Sequence, residues 1–410
     1  MRIALIADTY APLRTSGAVQ LRDLAGELSR QGHDVAVVVP AVDLPRPWVL
    51  ELRDGVQILR VRAMSTKDTG YFRRVIGETL LSWFMLRGLR QSPLQAVHWD
   101  GVVWYSPTIF LGPMIAALKR ASGCRSYLIL RDVFPEWAVD MGLLRRGLVY
   151  RFFKLVERYQ YAAADTIGVQ SPSNLAYLAK WQEGPGRHLE VLENWLAAAP
   201  NVGCSVSIAH TCLESRKILV YAGNMGVAQG VEFVLDVAER LLERKDVGFL
   251  FVGRGSDVPR LRKIATERGL DNVLFHDEVE PSEVPGLLAQ CDVGLVVLDP
   301  RHKTHNVPGK FLTYLQAGLP VLARVNAGND LANLIEKEDV GRVYIGDSAQ
   351  AFQILAEELC DDKVGRSEMR RRARYLAGAR YSAHTAATQI VGALSGANSE
   401  RGSRVRLMGS

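Results

Sequence analysis

A lysine in the first turn of a helix sits at the unfavourable end of the helix dipole unless an anion lies beside it. Lys310 falls there, where Val307-Pro308-Gly309-Lys310-Phe311 leads from a polar loop into an apolar helical pattern that stops at Gly318-Leu319-Pro320. A diphosphate held by Gly309 and Lys310 would explain the placement; spacing alone equally allows a solvated surface lysine. Two glycine turns follow apolar runs: Gly223-Asn224-Met225-Gly226, continuing to Gln229-Gly230, and Gly253-Arg254-Gly255. Glycines there let backbone amides close on an anion, with Arg254 as a possible phosphate contact. Neither turn has the GxGxxG spacing of a dinucleotide fingerprint, so a plain tight turn is the alternative for each.

The first half carries a second set. Tyr10 to Ala18 reads as a loop entering a helix, with the amides of Ser16 and Gly17 available to a phosphate. Arg131-Asp132-Val133-Phe134-Pro135-Glu136-Trp137 follows the run Ser126–Leu130. An Arg-Asp pair at a strand end is costly unless it is paired internally or used by a ligand. The sequence has no HExxH, DxD, P-loop or GxSxG pattern, so no metal site and no cofactor is expected.

The elements that must carry these residues are strands alternating with helices. Residues 2–7, 35–39, 101–105 and 126–130 read as buried strands, and 18–30 as an amphipathic helix closed by Gly32. The pattern restarts with strands at 217–222, 247–252, 273–275, 292–298 and 320–323 and a helix at 231–243. Continuous β-branched runs imply parallel sheets covered on both faces. The expectation is an α/β protein of two doubly wound domains, 1–200 and 201–380, joined near Ala197–Ser215, then a helix at 381–395 crossing back to the first domain and a tail at 396–410. Ligands of such sheets bind beyond the carboxyl ends of the strands, where every motif above lies.

Charge and composition narrow the partners. With 48% hydrophobic and 23% charged residues over 410, the composition is that of a globular protein. Five cysteines without a CxxC pair suggest a reducing compartment, and no signal segment or membrane span is expected. Residues 1–200 hold 24 Lys+Arg against 18 Asp+Glu and residues 201–410 hold 26 against 26, so the net charge of +6 resides in the first half. Two segments there, Tyr71–Arg87 and Leu143–Lys154, mix aromatic and aliphatic residues with arginines, as interfacial helices do. Core-packed helices with a basic outer face are the alternative. No nucleic-acid motif is present.

Taken in order, the motifs resemble retaining glycosyltransferases of family 4 with the GT-B fold, two facing Rossmann-like domains with an interdomain cleft. Ser16-Gly17, Arg131–Asp140, Gln170–Asn174, Glu193-Asn194-Trp195, Gly223–Gly226 and Pro308–Val321 carry the likeness, over residues 1–390. It looks closest to the WbuB-like branch, associated with O-antigen and lipopolysaccharide synthesis and N-acetyl-L-fucosamine transfer. The resemblance implies a UDP-sugar donor, metal-independent transfer with retention, and a lipid-linked saccharide acceptor at the inner membrane face of the cytoplasm. It implies Asp132, Arg131 and Lys310 as catalytic. Donor contacts would be Ser16, Gly17, Gly223, Asn224, Gly226, Gln229, Arg254, Gly309, Lys310 and Thr313, with Asn194 and Glu136 on the acceptor side. The sequence departs from the pattern at His305 and Thr313, where many members carry a Glu-x7-Glu pair, and at Asn224 and Gln229, where many carry Arg and Lys. A same-fold sugar-nucleotide epimerase and a silent partner subunit are the rival readings.

Overall fold

A computed structural model describes residues 1–13, 15–65, 71–140, 142–197, 203–226, 229–298 and 307–396. His305 and the tail beyond residue 396 lie outside the described residues.

The chain alternates as its apolar runs suggest. Its first stretch holds β1 (Arg2–Ile6), α1 (Ser16–Arg30), β2 (Asp34–Ala41), β3 (Trp48–Arg53), β4 (Val56–Arg62), α2 (Tyr71–Gln91), β5 (Gly101–Ser106), α3 (Gly112–Ser122) and β6 (Arg125–Leu130). It continues with α4 (Glu136–Asp140), α5 (Leu148–Ala162), β7 (Thr166–Val169), α6 (Ser173–Tyr177), α7 (Ala179–Gln182) and β8 (His188–Val191). The second stretch holds β9 (Lys217–Ala222), α8 (Glu232–Arg240), β10 (Val247–Val252), α9 (Val258–Glu267), β11 (Val273–His276), α10 (Val284–Leu288) and β12 (Val293–Val297). Then come α11 (Gly309–Ala317), β13 (Val321–Arg324), α12 (Asp330–Glu338), β14 (Gly341–Tyr344), α13 (Ala349–Asp361), α14 (Lys363–Arg380) and α15 (Ala383–Ser395). Two compact units result: unit 1 is Met1–Ala197 with the residues from Ala383 onward, and unit 2 is Ala198–Ser382.

Unit 1 is an eight-stranded sheet in the order β3-β4-β2-β1-β5-β6-β7-β8. Alternate side chains of each strand feed two separate cores. Ala4 and Ile6 face Leu81 and Met85 of α2 and Met114 and Ile115 of α3. Ile3 and Leu5 face Leu21, Leu24 and Leu28 of α1 and Ile390 and Leu394 of α15. The sheet departs from the all-parallel expectation at one edge, where β3 pairs antiparallel with β4. Asp54 and Gly55, with φ of 51° and 77°, form a two-residue turn there, the conformation that Asp-Gly favours. Unit 2 is a six-stranded sheet, all parallel, in the order β11-β10-β9-β12-β13-β14.

Strand order reverses direction once in each sheet, between β1 and β5 and between β9 and β12. These switch points open the crevices in which doubly wound folds bind ligands.

Candidate active site

The switch point of unit 2 gathers the glycine turns and Lys310. Tyr314 pins α11 to the sheet: its hydroxyl accepts from the Ala222 amide at 2.8 Å and donates to the Val220 carbonyl at 3.2 Å. Its ring occupies the space above Gly294, where a Cβ would lie 2.5 Å from the ring. Lys310 is one turn earlier on the same helix face. Its Nζ therefore lands over the face of Tyr221 on β9, 3.5 Å from the ring centroid. Among the described residues the ammonium has no hydrogen-bond or ion-pair partner. Burial pulls its pKa down to about 7. A cation in this setting gains most from an anion brought in from outside.

The two glycine turns interlock beside it. The Met225 amide donates to the Arg254 carbonyl and the Gly223 amide to the Val252 carbonyl, both at 2.8 Å. Gly253 has φ 137°, and a Cβ there would stand 2.2 Å from the Gly223 carbonyl oxygen. Gly223, at φ 131°, faces the lysine stem: a Cβ added there would lie 3.7 Å from Lys310 Cε. Asn224 Nδ2 reaches Gln229 Oε1 at 3.4 Å, closing the turn over Gly226. Arg254 is exposed and paired with Glu278 at 3.2 Å. Thr313 Oγ1 donates to the Gly309 carbonyl one turn back, leaving its lone pairs available. Lys310, Gly309, Gly223, Asn224, Gly226 and Gln229 thus come together, while Arg254 points to a carboxylate on the surface.

The switch point of unit 1 holds the second set. Thr15 caps α1, accepting from the Ala18 amide at 3.4 Å, so Ser16 and Gly17 form its open first turn. Gly17 lies against Tyr105 at the end of β5; a Cβ would fall 2.9 Å from the phenol oxygen. Arg131 and Asp132 follow β6, and here two adjacent charges have opposite fates. Arg131 is buried, with Nη1 donating to the Leu192 carbonyl at 2.6 Å and Nη2 to the Glu193 carbonyl at 3.3 Å. Its guanidinium also lies over the Trp195 ring, and burial lowers its pKa to about 10. It clamps the 192–195 loop, in which Asn194 is buried. The Asp132 carboxylate has no hydrogen-bond or ion-pair partner among the described residues. Burial raises its pKa, with Arg131 opposing the rise.

Glu136 is committed elsewhere. Its Oε1 accepts from Tyr150 at 2.7 Å and Tyr177 at 3.1 Å and sits 3.2 Å from Lys154 Nζ, which also pairs with the buried Glu157. This network ties α4, α5 and α6 together. Tyr221, Tyr105 and the Lys154 network were not singled out from sequence. The four-residue spacing of Lys310 and Tyr314 is the signal that an apolar-face reading of α11 would have supplied.

Residues 16–195 match the family described as glycosyl transferase 4-like domain, and residues 216–362 match glycosyl transferases group 1. The chain is a family 4 glycosyltransferase with the GT-B fold. It is 25% identical over 358 residues to WcaI of Escherichia coli K12, a glycosyl transferase named for colanic acid biosynthesis, covering 82% of this chain and 86% of that one. It is 30% identical over 183 residues to the alpha-D-kanosaminyltransferase of Streptomyces kanamyceticus, covering 44% of this chain and 46% of that one. Among solved structures, WaaG, a glycosyltransferase of lipopolysaccharide biosynthesis, superposes with a TM-score of 0.63 at 17% identity, over 96% of this chain and all of that one. The UDP-forming trehalose-phosphate synthase of Burkholderia xenovorans superposes with a TM-score of 0.72 at 14% identity, again over 96% of this chain and all of that one.

Proposed function

We propose that this glycosyltransferase moves an N-acetylated deoxyamino sugar, N-acetyl-L-fucosamine or a relative, from a UDP-sugar to a lipid-linked or lipopolysaccharide saccharide with retention, working in the cytoplasm against the inner membrane. The observation that carries the reading is Lys310, a part-buried cation without an anionic partner at the N-terminus of α11. The leaving diphosphate gains negative charge as the glycosidic bond to it breaks. Lys310 and the amide at Gly309 are fixed donors that favour that charge more in the transition state than in the bound donor. Asp132, with its carboxylate uncommitted, orients the acceptor or sugar, and the departing phosphate accepts the acceptor's proton. Arg131 acts through the 192–195 loop as a positioning residue.

The experiment is a metal-free thermal-shift panel of UDP, GDP, UDP-N-acetylglucosamine, UDP-N-acetylfucosamine and UDP-N-acetylquinovosamine. A ligand at 100 times its Kd stabilises by about 2.7 kcal/mol. The expected result is a shift with the uridine ligands, largest for one acetamido sugar. No shift with any nucleotide would overturn the reading in favour of a silent partner subunit. Turnover of the UDP-sugar without an acceptor, giving an isomerised sugar, would favour an epimerase.

A further inference from the structure

We propose that the outer faces of α2 and α5 in unit 1 form one docking surface for an anionic phospholipid bilayer. The inference rests on the membrane-linked acceptor of the preceding reading and names the surface that meets the lipid.

Both helices belong to one layer, because α3 packs against each of them. On α2 the exposed apolar residues are Ile76, Leu80 and Trp83, in steps of four and three, which place them on one stripe. Arg87 comes next on that stripe, its guanidinium 5.4 Å from the centroid of the Trp83 ring. On α5 the stripe is Leu148, Phe152, Leu155 and Tyr159, with Leu148 82% and Leu155 64% exposed. Seven large apolar side chains on one helix layer are more than scattered surface residues account for.

The charges beside the stripes have one sign. Arg87 and Arg90 on α2 and Arg151 and Arg158 on α5 are exposed. The acids of these helices are turned away from solvent or engaged: Glu157 is buried under Lys154, and Glu78 is partly buried and already has a partner. Along the flank of α2 runs a groove of about 530 Å³ with Val42, Met64, Trp83 and Phe84 on its walls and Arg62 and Arg87 beside them. Neither guanidinium has a carboxylate partner among the described residues. An apolar slot with two uncommitted arginines suits a lipid headgroup phosphate above an acyl chain. A second copy of this face is the wrong partner, since an isologous contact would set arginine against arginine.

The position of the surface agrees with its use. α2 joins β4 to β5 and α5 joins β6 to β7, and these strands are parallel. Each helix therefore starts at the carboxyl edge of the sheet, where Asp132 lies. Phe153 packs with Phe134, two residues beyond Asp132, so the α5 face and the Asp132 loop share one apolar cluster. A bilayer against this layer would hold the Asp132 loop near the headgroups from which a lipid-linked saccharide emerges.

The test is co-sedimentation of the full chain with phosphatidylglycerol or phosphatidylcholine vesicles, alongside transfer to a soluble saccharide acceptor. The expected result is binding to phosphatidylglycerol at low salt, release at high salt and little binding to phosphatidylcholine. The pairs Leu80→Ser with Trp83→Ser and Phe152→Ser with Leu155→Ser each reduce partitioning by about tenfold or more. Arg87→Ala and Arg151→Ala each reduce it by about fivefold. Leu52→Ser and Ile354→Ser, at exposed apolar positions outside the layer, leave it unchanged. Wild-type binding with no effect of the stripe substitutions would overturn this surface and leave the membrane-linked acceptor standing. No vesicle binding, with transfer to the soluble acceptor retained, would overturn both the surface and the membrane while leaving the transferase. A wild-type dimer that the stripe substitutions dissociate would overturn the proposal in favour of self-association.

Discussion

Replacing Lys310 by methionine keeps the unbranched chain as far as Cε and removes the ammonium group. Burial on Tyr221 holds the free lysine at a pKa of about 7, so at pH 7 it is about half protonated. A diphosphate favours the ammonium and raises that pKa, so binding takes up about half a proton at pH 7 and approaches one above it. The sign is fixed: affinity is flat well below pH 7 and weakens by about tenfold per pH unit well above it. From pH 7 to 8.5 that amounts to about fifteenfold. The probe is a UDP-sugar, whose diphosphate does not titrate between pH 6.5 and 8.5. Calorimetry in two buffers of different ionisation enthalpy measures the protons taken up. The wild type is expected to show the uptake and the pH slope, and Lys310→Met to show neither, to bind more weakly, and to lose about 10²-fold or more in turnover. A pH-independent wild-type affinity, or the same proton uptake in Lys310→Met, would refute the reasoning.

Two further outcomes follow from packing. Gly253→Ala drives a methyl group into the Gly223 carbonyl at a φ of 137°, so unit 2 should lose about 3 kcal/mol and its nucleotide affinity should fall; Gly269→Ala, at φ 63° in open space, should cost only about 1 kcal/mol. Equal melting temperatures for the two variants would contradict the interlocked turns. Lys154→Met leaves Glu136 and the buried Glu157 facing each other without their shared cation, for a loss of about 3 kcal/mol at neutral pH. Glu157 already has its pKa raised by burial, so the penalty belongs to its charged form and should shrink as pH falls through that raised value. Melting curves of both proteins across pH 5 to 8 check it, and a pH-independent difference would count against the network.

The strands that could be read directly were those buried on both faces, such as Val35–Val39 and Lys217–Ala222, because an uninterrupted β-branched run leaves few alternatives. β3 and β4 were missed because the edge strand alternates charge with apolar residues, as in Glu51-Leu52-Arg53; the Asp54-Gly55 turn was the available signal. β7, β8 and β14 are four residues each and, unlike the equally short β11 and β13, open on a polar residue or glycine rather than on an apolar run. The first-turn position of Lys310 was legible from Pro308-Gly309 and Gly318. Its seat on Tyr221 was not, since that contact spans 89 residues and depends on Tyr314 reaching β9. The adjacent charges of Arg131 and Asp132 looked equivalent in sequence. Only the carbonyls of Leu192 and Glu193 show that the arginine is engaged and the aspartate is not.

The return of the chain to unit 1 at Ala383 sets a timetable for synthesis. Leu394 of α15 fills the space above Gly101, where a Cβ would lie 2.7 Å from it, and Ile390 completes the core over β1. Those residues leave the ribosome only after the whole of Ala198–Ser382 has been made. At about 5–20 residues per second, the nascent amino-terminal sheet waits roughly ten to forty seconds with one face only partly covered, by α1. Unit 2, whose segment is continuous, can close first. A translation pause or a stop codon between the units would therefore strand the amino-terminal sheet as a chaperone client, and the enzyme should acquire activity only after α15 has emerged.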